Sequence, residues 1–370
     1  MNMSQKKWKV ALVGCGSIAG EIYLPQLATF SDVEVVAVCD IMPERAQAYA
    51  EKFGIPNWYP NIDELLEKCD FEIMMDTASI PAHHELNMKA IAAGKHLYTQ
   101  KPMAMTVQNA TEQIELAEKM HVKIASAAIH PLRPDIIQIR QMVENGTIGH
   151  VNMIRARAAH GGPNYFQYRE ADCSWFFQPG AGALYDMGVH GITEAVSVLG
   201  PAKEVTCVAC ISEPERTIRS GAFDGKKIRT DYLPDNYIIT LDWGNGTLAV
   251  IDAGFCEKAS TLNQMEVYGS KGTITVKGHL KIGAGDGLMA YIDDEDRKIR
   301  GWIEPQPQEL PYPGEWKQAE AIHDLIHAIE TDSTPVLDPK IARHVIDIMC
   351  TISDCIKEKR TLPLHTTFEF

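Results

Sequence analysis

The chain has 370 residues, 45% of them hydrophobic and 23% charged, with a formal net charge of -14. That length suits two domains, and the residue balance is that of a globular enzyme. The negative charge argues against nucleic-acid or membrane-surface partners, which need a basic face, and no apolar run is long enough to span a bilayer.

The first residues, MNMSQKKWKVALVGCG, place Lys6 and Lys7 before an apolar run, as an export signal would. The run is short, meets glycines and is followed by Glu21 without a small-residue cleavage site, so it reads as a first strand. Without an export signal, the nine scattered cysteines are expected to be reduced thiols in a cytoplasmic protein. The one close pair, Cys207 and Cys210, lies in the β-branched, alternating segment EVTCVACIS. Residues three apart on a strand face opposite ways, so these thiols are expected to point apart.

Strand and helix signals alternate along the first third. KVALVGCG is a strand meeting a glycine turn, and IYLPQLATF a helix containing a proline. VEVVAVCD is a second strand, and PERAQAYAEKFG a helix with Pro43 near its start and Gly54 as its stop. FEIMMDTA, HLYTQ and VKIASAAI are further strands, separated by the helices AHHELNMKAIAAGK and TVQNATEQIELAEKM. This order predicts an α/β Rossmann domain over 1–128, with a doubly wound parallel sheet.

From about residue 130 the pattern changes. PDIIQIRQMVENGTIG reads as a helix closed by Gly146. The runs VNMIRARAA, EVTCVACIS, NYIITLDWG, GTLAVIDAG, NQMEVYGS and GTITVKG read as strands, several joined by glycine turns; WGNGT carries an Asn-Gly hairpin signal. Two helices follow, EWKQAEAIHDLIHAIET and DPKIARHVIDIMCTISDCIKEK, the second with Asp338 as its expected N-cap. Residues 129–370 are therefore expected to form an α/β domain with an open, mainly antiparallel sheet. Its last helices are expected to return near the first domain.

VALVGCGSIAG puts Gly14 and Gly16 where the first strand ends and a helix opens. A tight turn that lets a pyrophosphate approach the backbone needs glycine, and the helix N-terminus offers free N–H groups. Ala19 fills the third position, and Asp40 ends the second strand at the fingerprint's spacing. A ligand-free βα turn would explain the glycines but not the acid. Asp40 can accept from adenosine ribose hydroxyls and repel a 2′-phosphate, so NAD(H) is expected. Arg45 keeps NADP open but reads more simply as a solvated helix residue. Ser17, Ile18, Thr77 and Ser79, at the ends of the first and third strands, are placed with the cofactor.

TQKPMA holds Lys101 against Pro102 at the carboxyl end of a parallel strand, the edge where such sheets bind ligands. The proline restricts the preceding backbone and is expected to keep Lys101 extended. A lysine there can stabilise a developing alkoxide. QPGAGALYDMGVHGI leads a glycine-rich turn into a helix with Asp186 and His190 four apart. That spacing puts a general base and an orienting carboxylate on one face. A capping Asp with a core His, or a metal pair, has the same spacing; with no third ligand evident, no metal is expected.

VGCGSIAG, VCDIMPERA, AGKHLYTQKPMA and GALYDMGVHGI resemble, in order and over nearly the whole chain, the glucose-fructose oxidoreductase / inositol dehydrogenase (Gfo/Idh/MocA) family. The resemblance implies a Rossmann domain, an open-sheet α/β domain that builds homo-oligomers, and NAD(P)-dependent chemistry at a sugar or cyclitol carbon. Lys101 matches the lysine of the family's Glu-Lys-Pro motif, Asp186 and His190 its aspartate and histidine, and His83 the histidine near the cofactor. Gln100 departs from the family's glutamate; losing that carboxylate removes one influence that favours protonated lysine. GAGA replaces a glycine triplet, a smaller departure.

Substrate signals are weaker. His130 and Arg133 in IHPLRP follow the last Rossmann strand. ARAAHGGPNYFQYREADCSWFF offers Arg157, His160, Tyr165, Tyr168 and Trp175. Aromatic faces with polar tips suit a sugar ring, and equally an ordinary aromatic loop. A glycoside oxidised on its pyranose ring, a free sugar and an inositol all fit. A tightly held NAD that recycles in place, the reverse reaction, and a non-catalytic NAD-bound sugar sensor stand beside the dehydrogenase reading.

Overall fold

The computed structural model describes residues 6–165, 172–277, 287–305 and 317–370. Two units separate, Met1–Ile129 with Lys317–Arg343, and His130–Trp316 with His344–Phe370.

The first unit is built on β1 (Trp8–Val13), β2 (Val33–Cys39), β3 (Asn57–Tyr59), β4 (Ile73–Asp76), β5 (His96–Thr99) and β6 (Ile124–Ser126), in the order β3-β2-β1-β4-β5-β6. Every pairing is parallel. Its helices are α1 (Leu24–Leu27), preceded by a π-helical turn at Ala19–Tyr23, then α2 (Pro43–Phe53), α3 (Ile62–Lys68), α4 (His83–Ala92) and α5 (Val107–Met120). A parallel sheet is covered on both faces, so its strands are continuous apolar runs. Val10, Ala11, Leu12, Ile73, Met74 and Met75 are accordingly buried without remainder. The strands all end at one edge, and Gly14, Asp40, Thr77 and Gln100 each follow a strand there.

Two elements were not anticipated. β3 has three residues, two of them exposed, and α3 has seven, too short for a periodic signal. Asn61 caps α3, its side chain accepting from Glu64 N at 2.9 Å. Farther along, α6 spans Pro134–Glu144 and α7 Val189–Leu199, both in the second unit, and α8 (Ala321–Glu330) lies against β5 and β6 of the first.

The second unit holds a nine-stranded sheet. Its members are β7 (Val151–Ala159), β8 (Glu204–Cys210), β11 (Asn236–Asp242), β12 (Leu248–Gly254), β13 (Met265–Gly269), β14 (Gly272–Val276), β15 (Leu288–Asp294), β16 (Ile299–Ile303) and β17 (Leu362–Pro363). The order is β16-β15-β14-β13-β7-β12-β11-β8-β17, and only β7–β12 is parallel. β9 (Glu215–Thr217) and β10 (Lys227–Arg229) form a separate ribbon. Neither this ribbon nor β15–β16 was anticipated. β16 is an edge strand with no buried residue, so it carries no apolar alternation.

On β8 and β11 the inward residues Val205, Cys207, Tyr237, Ile239 and Leu241 are buried, while Val208 and Ile238 face out. Cys207 is buried and Cys210 exposed, so the two thiols do point apart. The last helix, α9 (Pro339–Glu358), starts at Asp338, whose carboxylate accepts from Lys340 N at 2.8 Å.

Helix α7 lies unusually close to the sheet. A Cβ on Gly191 would stand 2.6 Å from Ile251 Cγ2 and 3.1 Å from Ala158 Cβ. Gly191→Val is therefore expected to destabilise the protein by about 1–3 kcal/mol, the usual cost of overpacking, seen as a lower Tm with far-UV dichroism preserved. An unchanged Tm would mean that α7 can lift off the sheet freely.

Candidate active site

In the first unit the glycine turn is held from three sides. Gly14 has φ +95°, and an added Cβ would lie 2.4 Å from Ala78 N. Only glycine allows this backbone and this approach. Thr77 donates its hydroxyl to Gly14 O at 2.7 Å, and Tyr49 donates to Gly16 O at 3.1 Å. Asp40 Oδ2 accepts from Cys15 N at 2.8 Å and Oδ1 from Met42 N at 2.9 Å. Around Gly16 the space is open: an added Cβ meets nothing within 4 Å. Ser17 and Ile18 are half-buried and Ser79 is exposed. Arg45 is a largely exposed residue of α2, 3.8 Å from Asp40. Cys15 is buried in the turn, and burial together with the Asp40 charge pushes its thiol up to about 12.

Lys101 follows β5 and is half-buried; its bond to Pro102 is cis. His83 secures this turn. Its Nδ1 lies 2.8 Å from Pro102 O and its Nε2 3.1 Å from Ala78 O, so both ring nitrogens are engaged by backbone carbonyls. Gln100 donates its amide to the Tyr23 hydroxyl, which meets the Tyr98 hydroxyl at 2.7 Å. Burial pushes both phenols up. The residue that replaces the family's glutamate thus caps a buried tyrosine pair.

In the second unit, Asp186 falls in a π-helical turn, Leu184–Gly188, that leads into α7; such turns recur at functional sites. Asp186 and His190 are both buried. His190 Nδ1 lies 2.8 Å from His130 Nε2, the rings meeting edge to face. His130 was expected to touch substrate. It is buried, with Nε2 on His190 and Nδ1 3.1 Å from Arg133 Nη1. Arg133, expected with it, is 1% exposed and paired with Asp135 and Glu194. Sequence reasoning missed Glu194, Asp135 and Gln264. The available signal was Glu194 itself, the lone acid on the otherwise apolar helix VHGITEAVSVL, one turn from His190.

Arg157, on β7, is bound to Glu257 and Ser260. His160 stacks on Phe255 at 5.3 Å and accepts from Gly162 N at 2.9 Å. Tyr165 lies under the Arg219 guanidinium at 4.7 Å. Trp175 stacks on Phe176 at 3.8 Å and is 46% exposed. Tyr168 lies outside the described residues. Among the described residues no group of three or more His, Cys, Asp or Glu is placed to hold a metal ion.

Comparison with known proteins places these features in a family. The oxidoreductase-family model for the NAD-binding Rossmann fold matches residues 8–128, and the GFO/IDH/MocA C-terminal domain model matches residues 136–275. The chain belongs to the Gfo/Idh/MocA family. It is 26% identical over 308 residues to D-glucoside 3-dehydrogenase of Escherichia coli K12, covering 80% of this chain and 86% of that one. It is 24% identical over 267 residues to myo-inositol 2-dehydrogenase of Thermotoga maritima, covering 72% and 74%. A solved structure, an NAD binding oxidoreductase from Klebsiella pneumoniae, shares the fold with a TM-score of 0.81 at 22% identity over 97% of this chain and 100% of that one.

As a member of the Gfo/Idh/MocA family the chain is an oxidoreductase with an NAD-binding first unit. The residues present fit that cofactor: the glycine backbone is open at Gly16, the turn opens a helix, and a buried carboxylate ends β2. Gly14→Ala should force the turn off Ala78 and raise the Kd for NAD+ at least about tenfold by calorimetry, a 1.4 kcal/mol loss. Asp40→Ser should narrow the preference for NAD+ over NADP+, since the carboxylate that repels a 2′-phosphate is gone. An unchanged NADP+ to NAD+ ratio of kcat/KM would remove Asp40 from cofactor choice.

Proposed function

We propose that this chain is an NAD-dependent dehydrogenase oxidising a secondary hydroxyl of a sugar, glycoside or cyclitol, with a glycoside oxidised on its pyranose ring, at C3, as the first candidate. The observation that carries this reading is His190, a buried histidine on α7 backed at 2.8 Å by a second histidine. It lies in a family domain that follows an NAD-binding one. Similarity to D-glucoside 3-dehydrogenase over most of both chains supports the glycoside.

Bound NAD+ supplies the hydride acceptor. His190 takes the hydroxyl proton as general base. Lys101 stabilises the alkoxide as charge develops. Asp186 holds a substrate hydroxyl and helps fix the His190 ring. Trp175 and Tyr165 offer aromatic faces for the apolar face of the sugar ring. A second reading, an inositol or free-sugar enzyme working in either direction, is supported by the similarity to myo-inositol 2-dehydrogenase. The non-catalytic sensor is weaker, because Lys101, Asp186 and His190 are all retained.

A cytoplasmic setting fits the nine free cysteines. No helix among the described residues is long and apolar enough to cross a membrane. A homo-oligomer is supported by the exposed apolar residues Val208, Ile238 and Leu248 on the outer face of the second-unit sheet; light scattering in solution tests it.

A panel of glucosides, free sugars and inositols, assayed with NAD+ for NADH and by mass spectrometry for loss of two hydrogens, tests the activity. Mass spectrometry also detects a cycle that releases no NADH. Glycosides are expected to react; no product from any member would refute the proposal. Lys101→Ala and His190→Ala should each lower kcat by about 10²–10⁴. Gln100→Glu should move the Lys101 limb of the pH–rate profile to higher pH, because a neighbouring carboxylate favours the charged amine. An unmoved profile would leave Gln100 with only its packing role.

A further inference from the structure

The acid–base groups of the second unit continue behind His190 into the protein. His190 Nδ1 lies 2.8 Å from His130 Nε2, and His130 Nδ1 lies 3.4 Å from Glu194 Oε1. All three side chains are buried, Glu194 completely. Among the described residues, the charged and titratable groups around Glu194 are Arg133, Asp135, His130 and, one ring farther, His190. Arg133 Nη1 donates to Glu194 Oε1 at 2.6 Å, and Gln264 Nε2 donates to the same oxygen at 2.6 Å. Glu194 Oε2 is buried and has no hydrogen-bond partner among the described residues.

The charges explain why a proton belongs here. Arg133 is already matched by Asp135 through two bonds, Nε to Oδ1 at 3.0 Å and Nη2 to Oδ2. One cation therefore serves two buried carboxylates, and the second is left short of positive charge. Burial, aided by Asp135 and opposed by Arg133, lifts the Glu194 carboxyl to about 7. A structural ion pair needs only a charged glutamate, whereas this one changes state near neutrality.

The ring nitrogens allow two tautomeric settings, and the observed contact of Arg133 Nη1 with His130 Nδ1 at 3.1 Å is that of the second. In one, Arg133 Nη1 turns from His130 Nδ1 wholly to Glu194, His130 carries its proton on Nδ1 toward the ionised carboxylate, and its Nε2 accepts from His190 Nδ1–H. The Nε2 of His190 is then unprotonated and can act as a base. In the other, Glu194 is protonated, Arg133 donates to His130 Nδ1, and His130 Nε2–H donates to His190 Nδ1. The Nε2 of His190 then carries a proton and is an acid.

We propose that His130 and Glu194 form a proton relay behind His190, with Glu194 as the group on which the substrate's hydroxyl proton comes to rest. The relay rests on the dehydrogenase reading above. In the oxidation, the alcohol O–H bond breaks and its proton binds His190 Nε2. The Nδ1 proton of His190 passes to His130 Nε2, and the Nδ1 proton of His130 passes to the Glu194 carboxylate. The carbon-bound hydrogen leaves with its electron pair as hydride to the nicotinamide. One proton and one hydride leave the alcohol, and no buried imidazolium remains. The reverse sequence gives the same proton back to a carbonyl. His130 and Glu194 act through His190 and are positioning residues.

Two measurements on the full-length protein with NAD+ bound decide the matter. In ¹⁵N-histidine NMR, the Nδ1 and Nε2 signals of His130 and His190 should exchange protonated and unprotonated character as pH crosses neutrality. Glu194→Gln should abolish that exchange. In kinetics, oxidation by the wild type should rise with pH through about 7, because the base setting needs ionised Glu194. In Glu194→Gln that limb should vanish and kcat fall about tenfold, less than loss of the base itself, with KM held. Histidine signals that stay fixed, or exchange identically in both proteins, overturn the relay. If Glu194→Gln does not fold, the wild-type titration alone decides. Histidine exchange without turnover of any sugar supports the relay and overturns the dehydrogenase reading.

Discussion

A guanidinium cannot be buried alone, and that constraint organises the second unit. Arg133 stands at the start of α6 with almost no exposure and gathers its partners from separate elements. Asp135 comes from the first turn of α6, Glu194 from α7 and His130 from the turn before α6. Through Glu194 the network reaches Gln264, beside β13. Losing Arg133 would leave two buried carboxylates uncompensated, at a cost of several kcal/mol. The same charges that fix α7 against its neighbours set the register of His190, so packing and acid–base chemistry share one origin.

In the first unit the corresponding constraint is steric. Parallel strands ending at one edge bring the β1 and β4 turns so near that only glycine fits at position 14. Once the turn is set, Asp40, Thr77 and Tyr49 each bind its backbone, which leaves it little freedom to adapt. A rigid anion site of this kind loses little entropy on binding. Gln100 belongs to the same economy of space: its amide satisfies the Tyr23 hydroxyl in a place where water cannot.

The parts legible in the sequence are those whose partners are near in the chain. Gly14, Gly16 and Asp40 lie within one βαβ stretch, and the parallel strands are apolar throughout, so the fold class and the glycine turn could be read. β3, α3 and the edge strand β16 could not, since short or exposed elements have no periodicity. His130 and His190 are sixty residues apart, and only the folded chain reveals that one backs the other. Arg133 and His130 were placed with the substrate from their position after β6, and their partners inside the protein could not be read from that position. A lone acid on an apolar helix, Glu194, was the one local hint that a buried charge needed an answer.

Cys15 has a consequence for durability. A thiol inside a phosphate-binding turn would ordinarily be the weak point of an enzyme exposed to peroxide, because the thiolate is the species that is oxidised. Here burial and the Asp40 charge keep the sulfur protonated, with a pKa pushed up to about 12. Cys210, exposed on β8, would be attacked first, on a face remote in sequence from the cofactor turn. The glycine turn is thus built to outlast surface oxidation, through the aspartate that also binds its backbone.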